Sequence, residues 1–273
     1  MEQFRIGKNG KIDVLGFGTW RLGGGETVEL SNDVFCIKAL KKAFELGYRL
    51  IDTAEYYGAG HTEEIVGKAL KDFNREEFFI TSKVWPNHLH YEDVIKACQG
   101  SLKRLQVKCI DLYLIHWPNP QIPIKETVSS LEKLVEDGKI KYIGVSNFSV
   151  EELREAMDCT SKHEIVANQV RYSVLDKKPE ADLLPFANKN NIRVIAYTPL
   201  EKGRIRIPFL NDLSSKYGKT ENQIALNYLI CKEAVPIPKA IHEEHMIENL
   251  GAVGWKLSNE DVEKLSSLKQ GLY

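Results

Sequence analysis

Eight short apolar, β-rich runs recur along the sequence, with amphipathic stretches of helical periodicity between them. The runs are VLGFGT (14–19), YRLIDT (48–53), FFITSKV (78–84), IDLYLIHW (110–117), KYIGVS (141–146), IVANQV (165–170), RVIAYT (193–198) and VPIPK (235–239). Strict alternation of this kind points to right-handed βαβ units and a parallel sheet. Several runs are apolar nearly throughout, as strands covered on both faces are. KETVSSLEKLVEDG shows the helical partner. Val128, Leu131, Leu134 and Val135 fall on one stripe, and Gly138 stands where a C-terminal cap belongs.

Eight such units close naturally into a (β/α)8 TIM barrel. The 273 residues suit a single domain, 1–273, of that α/β architecture. A doubly wound nucleotide-binding sheet would carry GxGxxG after its first strand, and LGFGTW offers Gly16 and Gly18 without the third glycine. Ahead of the first barrel strand, FRIGKNGKIDV reads as a β-hairpin turning at Asn9-Gly10, placed to cap the barrel bottom. After the last strand, EEHMIENLGAV and NEDVEKLSSL read as extra C-terminal helices.

Charge narrows the class. With 37 Lys+Arg against 38 Asp+Glu, the chain lacks the cationic surplus that nucleic acid requires. No apolar run reaches the ~18–20 residues of a membrane span. The opening MEQFRIGKNGKIDV has no apolar stretch of signal-peptide length. Five scattered cysteines without CxxC read as reduced thiols, and the expectation is a cytoplasmic protein. His61, His88, His90, His116, His163, His242 and His245 form no HExxH or comparable ligand pattern, so no metal is expected.

In a barrel, working residues sit at the C-terminal ends of strands. Those ends supply Asp52, Lys83 and His116, and Tyr57 lies in the loop five residues past Asp52. Each alone has a bland reading: a surface lysine, a structural histidine, a helix-capping aspartate, a loop tyrosine. Together they make a proton donor. A phenol titrates near pH ~10 in water, too weak an acid for efficient work at neutrality. A neighbouring ammonium favours the phenolate, and a buried ammonium needs a carboxylate to keep its own proton. Tyr57, Lys83 and Asp52 supply that chain, and His116 is placed to orient a carbonyl oxygen.

GFGTW (16–20), YRLIDTAEYYGAGHTEEIVGKAL (48–70), TSKVW (81–85), DLYLIHWP (111–118), GKIKYIGVSNF (138–148), NQVRY (168–172), YTPL (197–200) and IPK (237–239) carry a resemblance. In order and spacing they are similar to the aldo-keto reductase family, in its short bacterial or archaeal form. The resemblance implies a (β/α)8 barrel moving hydride between NADP(H), with NAD(H) as a second cofactor, and a small carbonyl or alcohol. It implies Asp52, Tyr57, Lys83 and His116 as the catalytic tetrad, the set already reached from strand ends. It also implies that Ser146, Asn147 and Gln169 hold the nicotinamide carboxamide while Tyr197 stacks on the ring. Gly18, Thr19, Trp20, Asp52 and Thr198 join that cofactor wall, and Leu200 and Gly203 run along the pyrophosphate. Lys239, Ala240 and His245 fall at the adenosine 2′-phosphate, with Glu248 and Asn249 at the adenine. Trp20, Trp85 and Trp117 match the substrate-pocket walls, beside Tyr57 and His116. The expected assembly is a monomer or weak homo-oligomer.

Two departures matter. Many NADPH-preferring members carry a hydroxyl residue where this chain has Ala240, and Arg where it has His245. Charge-assisted hydrogen bonds are worth roughly 1.5–3 kcal/mol each, so NADH should compete better here than in a strict NADPH enzyme. After the helix ending near Leu268 only KQGLY remains, which implies an open pocket and broad carbonyl acceptance. The glycine-rich loop 21–33 implies mobility. Two other functions fit parts of the pattern: a Schiff-base aldolase using Lys83, which the nearby Asp52 disfavours by keeping the amine charged, and a cofactor-binding sensor subunit.

Overall fold

The computed structural model describes residues 1–205 and 207–268. The chain opens with an antiparallel hairpin, β1 (Gln3–Ile6) and β2 (Gly10–Asp13), in the register Gln3↔Asp13 to Ile6↔Gly10. Its turn is therefore the three residues 7–9, not Asn9-Gly10. Gly7 supplies the positive φ (56°), and Gly10 instead makes room for Tyr142, whose hydroxyl would lie 2.3 Å from a Cβ.

Eight parallel strands follow: β3 (Phe17–Gly18), β4 (Leu50–Asp52), β5 (Phe79–Val84), β6 (Ile110–Ile115), β7 (Ile140–Ser146), β8 (Ile165–Arg171), β9 (Arg193–Tyr197) and β10 (Val235–Pro236). Each pairs with its neighbour in sequence order. The ring closes where Gly16 N–H donates to Pro236 O (2.9 Å) and Gly18 N–H to Pro238 O (3.1 Å). Proline suits this seam. The one intervening N–H, from Ile237, points to Ala196 O on β9 (3.0 Å). On the β3 side only acceptors are needed, so the missing proline N–H groups cost nothing there.

Glycine suits it too. A Cβ on Gly18 would fall 2.7 Å from Ile237 O, and one on Gly16 within 2.8 Å of the Ile237 and Leu50 side chains. Gly18→Ala should force the seam apart and destabilise the fold by about 1–3 kcal/mol, read as a Tm lower by several degrees. An unchanged Tm would mean the seam tolerates widening.

Helices wrap the ring: α1 (Asp33–Glu45), α2 (His61–Leu70), α3 (Tyr91–Leu105), α4 (Ile124–Glu136), α5 (Val150–Asp158), α6 (Leu183–Lys189), α7 (Pro208–Tyr217), α8 (Glu221–Cys231), α9 (Glu243–Leu250) and α10 (Asn259–Ser267). α4 buries Val128, Leu131 and Leu134, with Val135 partly buried, and Gly138 follows it at φ 65°. α9 and α10 are the two helices expected after the last strand. The segment KQGLY lies outside the described residues.

The core divides in two. An outer shell packs strands against helices, and an inner plug holds Leu50, Leu112, Leu114, Val166, Ile195 and Ile237. Ile6 and Ile12 of the hairpin belong to the inner group, so the hairpin stoppers the barrel base. No helix among the described residues is long and apolar enough to cross a membrane.

Candidate active site

Side chains alternate along a strand, so a residue two positions beyond an inward apolar one also points inward, one layer higher. Leu50 leads to Asp52, Leu114 to His116, Ala167 to Gln169, Ile195 to Tyr197 and Ile237 to Lys239. The inner plug thus becomes polar at the C-terminal mouth, where a barrel builds its chemistry.

Lys83, in β5, has no solvent exposure. Its Nζ donates to Asp52 Oδ2 (2.8 Å), Tyr57 Oη (2.9 Å) and Thr53 O (2.9 Å), using all three protons. The other Asp52 oxygen accepts from Gln169 Nε2 at 2.7 Å. Burial opposes the Lys83 charge, but Asp52 and Tyr57 outweigh it and hold the ammonium above the ordinary lysine range. For Tyr57 the balance differs from the sequence expectation. Lys83 does pull the phenol down, yet burial pushes it up more strongly, and it ends above its ordinary value. His116 is pushed down to about 2 by burial and by the Lys83 charge. It is neutral at any ordinary pH.

Asn147 adopts a left-handed backbone (φ 64°) and joins the mouth together. Its Nδ2 donates to His116 O (3.0 Å) and Ser146 Oγ (3.0 Å), and its Oδ1 accepts from Tyr197 Oη (2.9 Å). Ser146 Oγ donates to Gln169 O (2.9 Å) and Thr19 Oγ to Asp52 O (2.8 Å). Both hydroxyls are buried behind the wall, and neither residue lines the cavity.

That cavity, about 740 Å³, takes in the other anticipated site residues except Lys83, which lies buried behind Asp52 and Tyr57. One end of it is aromatic. Trp20, Trp85 and Trp117 line it, with Trp117 43 % exposed at the rim. Tyr56, which the sequence reading passed over, stacks on Trp85 (centroids 3.7 Å, 5°) and lies parallel to Trp20 (6.2 Å, 3°). Trp85 meets His116 edge-on at 5.1 Å. Beyond Gln169 and Tyr197 the wall runs through Thr198, Leu200 and Gly203 to Lys239, Ala240, His245, Glu248 and Asn249. Arg21, also passed over, lines this end, and burial together with its like charge draws Lys239 down. No group of His, Cys, Asp and Glu among the described residues is arranged to hold a metal.

The glycine-rich loop packs backbone to backbone on the turn that carries Tyr57. Gly25 O accepts from Gly58 N–H at 2.6 Å, and a Cβ on Gly58 would lie 2.7 Å from Gly23 O. A Cβ on Gly23 would likewise fall 2.4 Å from Ile65 Cδ1, so close approach fixes glycine at these two positions.

A parallel barrel with a buried lysine bridging tyrosine and aspartate at its mouth defines a class, and comparison with known proteins gives the same one. Residues 14–270 match the aldo/keto reductase family. The chain belongs to that family, and it is an oxidoreductase. It is 34 % identical over 274 residues to the methylglyoxal reductase YeaE of Escherichia coli (strain K12), covering 97 % of this chain and 94 % of that one. It is 38 % identical over 236 residues to the glyoxal reductase of Bacillus subtilis (strain 168), covering 85 % and 83 %. Among solved structures, the thermostable aldo-keto reductase Tm1743, in complex with the inhibitor epalrestat, superposes with TM-score 0.95 at 46 % identity, covering 98 % of this chain and 99 % of that one. An aldo/keto reductase from Klebsiella pneumoniae, in complex with NADP and acetate, does so at 0.87 and 34 %, covering 96 % and 93 %.

Proposed function

We propose that this enzyme reduces small, uncharged aldehydes and ketones to alcohols with NADPH, and that Tyr57 donates the proton. The carrying observation is the buried Lys83 ammonium bonded to both Asp52 and Tyr57, which themselves line an aromatic cavity. Short dicarbonyls of the glyoxal type, the compounds for which the two bacterial relatives are named, are the first substrates to try.

The cavity fits the cofactor. Arg21 and Lys239 line one end with no ion-pair partner among the described residues, as a polyanion requires. Gln169 keeps Oε1 for a carboxamide, since Nε2 is held by Asp52. The Tyr197 ring supplies a stacking face. When bound, the nicotinamide supplies hydride to the carbonyl carbon.

The residues of this chain then act on the oxygen. Tyr57 Oη gives it a proton, and Lys83 stabilises the phenolate left behind. His116 is neutral with Nδ1 buried and unpartnered. The tautomer with its proton on Nε2 wastes least, and Nε2–H then donates to the carbonyl oxygen. Tyr56, Trp20 and Trp85 exclude water and reward a small apolar body. Lys83 is no Schiff-base nucleophile in this reading, because its three protons are engaged and its charge is held.

With the reading goes one barrel domain over residues 1–273, a monomer or weak homo-oligomer in the cytoplasm. Five free cysteines, none paired, are at home in a reducing compartment. Loss of reduced-nicotinamide absorbance across a panel of aldehydes, with NADPH and NADH separately, tests the activity. Cofactor binding without turnover on any carbonyl would sink it. With Ala240 and His245 beside Lys239, the preference for NADPH in kcat/KM should stay below ~1000-fold, two good charge-assisted bonds being absent. A larger ratio would show that Arg21 and Lys239 suffice.

A further inference from the structure

Tyr57 is carried on backbone that needs holding. Gly58, Ala59 and Gly60 all have positive φ, at 56°, 51° and 94°. A reversal of this kind persists only where its surroundings over-determine it. Thr62 Oγ donates to Leu22 O (2.6 Å), and His61 bridges Asp33 (2.7 Å) and Glu64 (3.0 Å), but these tie α2 to the glycine-rich loop, to α1 and to itself. None of them reaches the strand that bears Lys83.

Glu63 does. It sits in the first turn of α2 with no solvent exposure, and the proton-transfer residues leave it unused. Its Oε1 accepts from Ser82 Oγ at 2.5 Å and its Oε2 from Arg104 Nε at 2.7 Å. Ser82 directly precedes Lys83 on β5, so the two side chains point to opposite faces of the strand. Arg104, in α3, lies across the turn itself: a Cβ on Gly60 would fall 2.8 Å from its Cδ and Nε. Burial pushes the Glu63 carboxyl up against the pull of Arg104 and Ser82. A carboxylate so fully desolvated is expensive, and three elements converge to satisfy it.

We infer that Glu63 is a positioning residue, which sets the 2.9 Å contact between Tyr57 Oη and Lys83 Nζ by tying α2 to Ser82 on β5 and to Arg104 on α3. Tyr57 lies in the turn between Glu55, which meets β5 through its N–H to Lys83 O (3.4 Å) and accepts from Trp85 N–H at Oε1 (2.6 Å), and α2, where Glu63 is the direct polar bridge to β5 from the other side of the turn. The inference rests on the proposed role of Tyr57.

Glu63→Gln keeps the side-chain volume and the Ser82 bond but removes the ion pair. Ser82→Ala removes the strand bond, keeps the pair, and decides the matter if Glu63→Gln does not fold. NADPH affinity, followed by fluorescence quenching, should be unchanged, with KM within about twofold and kcat down about tenfold for Glu63→Gln, since misplacement of about 1 Å at reacting groups can cost 10²-fold. Ser82→Ala should lose several-fold. With the ammonium displaced, the phenolate loses its partner, and the pH midpoint of kcat for alcohol oxidation should rise by about one unit. A folded variant with a lower Tm but wild-type kcat and pH midpoint would overturn the inference and leave Glu63 a purely structural group. Turnover surviving in Tyr57→Phe would instead overturn the reading of Tyr57, so the two failures separate.

Discussion

Tyr57→Phe should cut kcat by about 10²–10⁴-fold, the range typical of losing a positioned acid, while NADPH binds as before. The substitution is a clean one here. Phenylalanine keeps the ring contacts that Tyr57 makes with Trp20 (4.8 Å, 66°) and His116 (5.8 Å, 71°). Lys83 loses one acceptor of three and retains Asp52 and Thr53 O, so the fold should melt near the wild-type temperature. No neighbour can replace the acid. His116, pushed down to about 2, is neutral, and its one remaining N–H is far too weak an acid to give up, while Lys83 holds its own proton firmly. The wild-type pH profile follows with a definite sign. Reduction needs the protonated phenol, whose value lies above its ordinary one, so kcat should hold through neutrality and fall only on the alkaline side. Single-turnover hydride transfer beside an NADPH titration checks both halves. A Phe variant with more than a tenth of wild-type kcat would remove Tyr57 from the role.

Lys83→Met should be worse, because it strikes activity and stability together. The phenolate loses its counter-charge, and Asp52 is left 3 % exposed with only Gln169 as partner. Breaking a buried ion pair from one side costs about 3–5 kcal/mol, which for a chain of this size is a Tm lower by roughly 10 °C. The lysine value is raised in the folded state, so the pair's contribution is fully present below the ordinary value of 10.5 and is lost only as pH rises through the folded one. Thermal melts of wild type and variant should therefore differ across the whole neutral range and converge only at strongly alkaline pH. Adding Asp52→Asn to Lys83→Met removes the stranded charge. The double variant should regain much of the lost Tm and none of the turnover, and recovery of activity would refute the assignment.

Much of this was legible beforehand, for identifiable reasons. A parallel strand covered on both faces writes itself as a continuous apolar run, and IDLYLIHW shows where such a run ends in a polar residue. Asp52, Lys83 and His116 were visible as strand-end residues, and the structure brings them together with Tyr57. What stayed hidden depends on closure of the ring. The bond from Gln169 to Asp52 spans 117 positions in the chain, and no local pattern announces it. Tyr56 was hidden by adjacency to Tyr57, since a loop has no periodicity to say which of two tyrosines faces the cavity. Ser146 and Thr19, assigned to the cofactor by resemblance, turn their hydroxyls back to the carbonyls of Gln169 and Asp52, which a strand end does not announce. In the loop 21–33 the missing Cβ of Gly23 serves contact with Ile65, which no local pattern announces.

The alternation that carries Leu50 to Asp52 and Leu114 to His116 assigns two neighbouring storeys of one strand to different trades. The lower storey, with Ile6 and Ile12 beneath it, is foundation. The upper one is workshop, furnished with polar residues, some of which, like Asp52 and Lys83, are bound into a pair and must change together. A lineage of such barrels exchanges its tools in matched sets at the mouth, while the same footings bear the load.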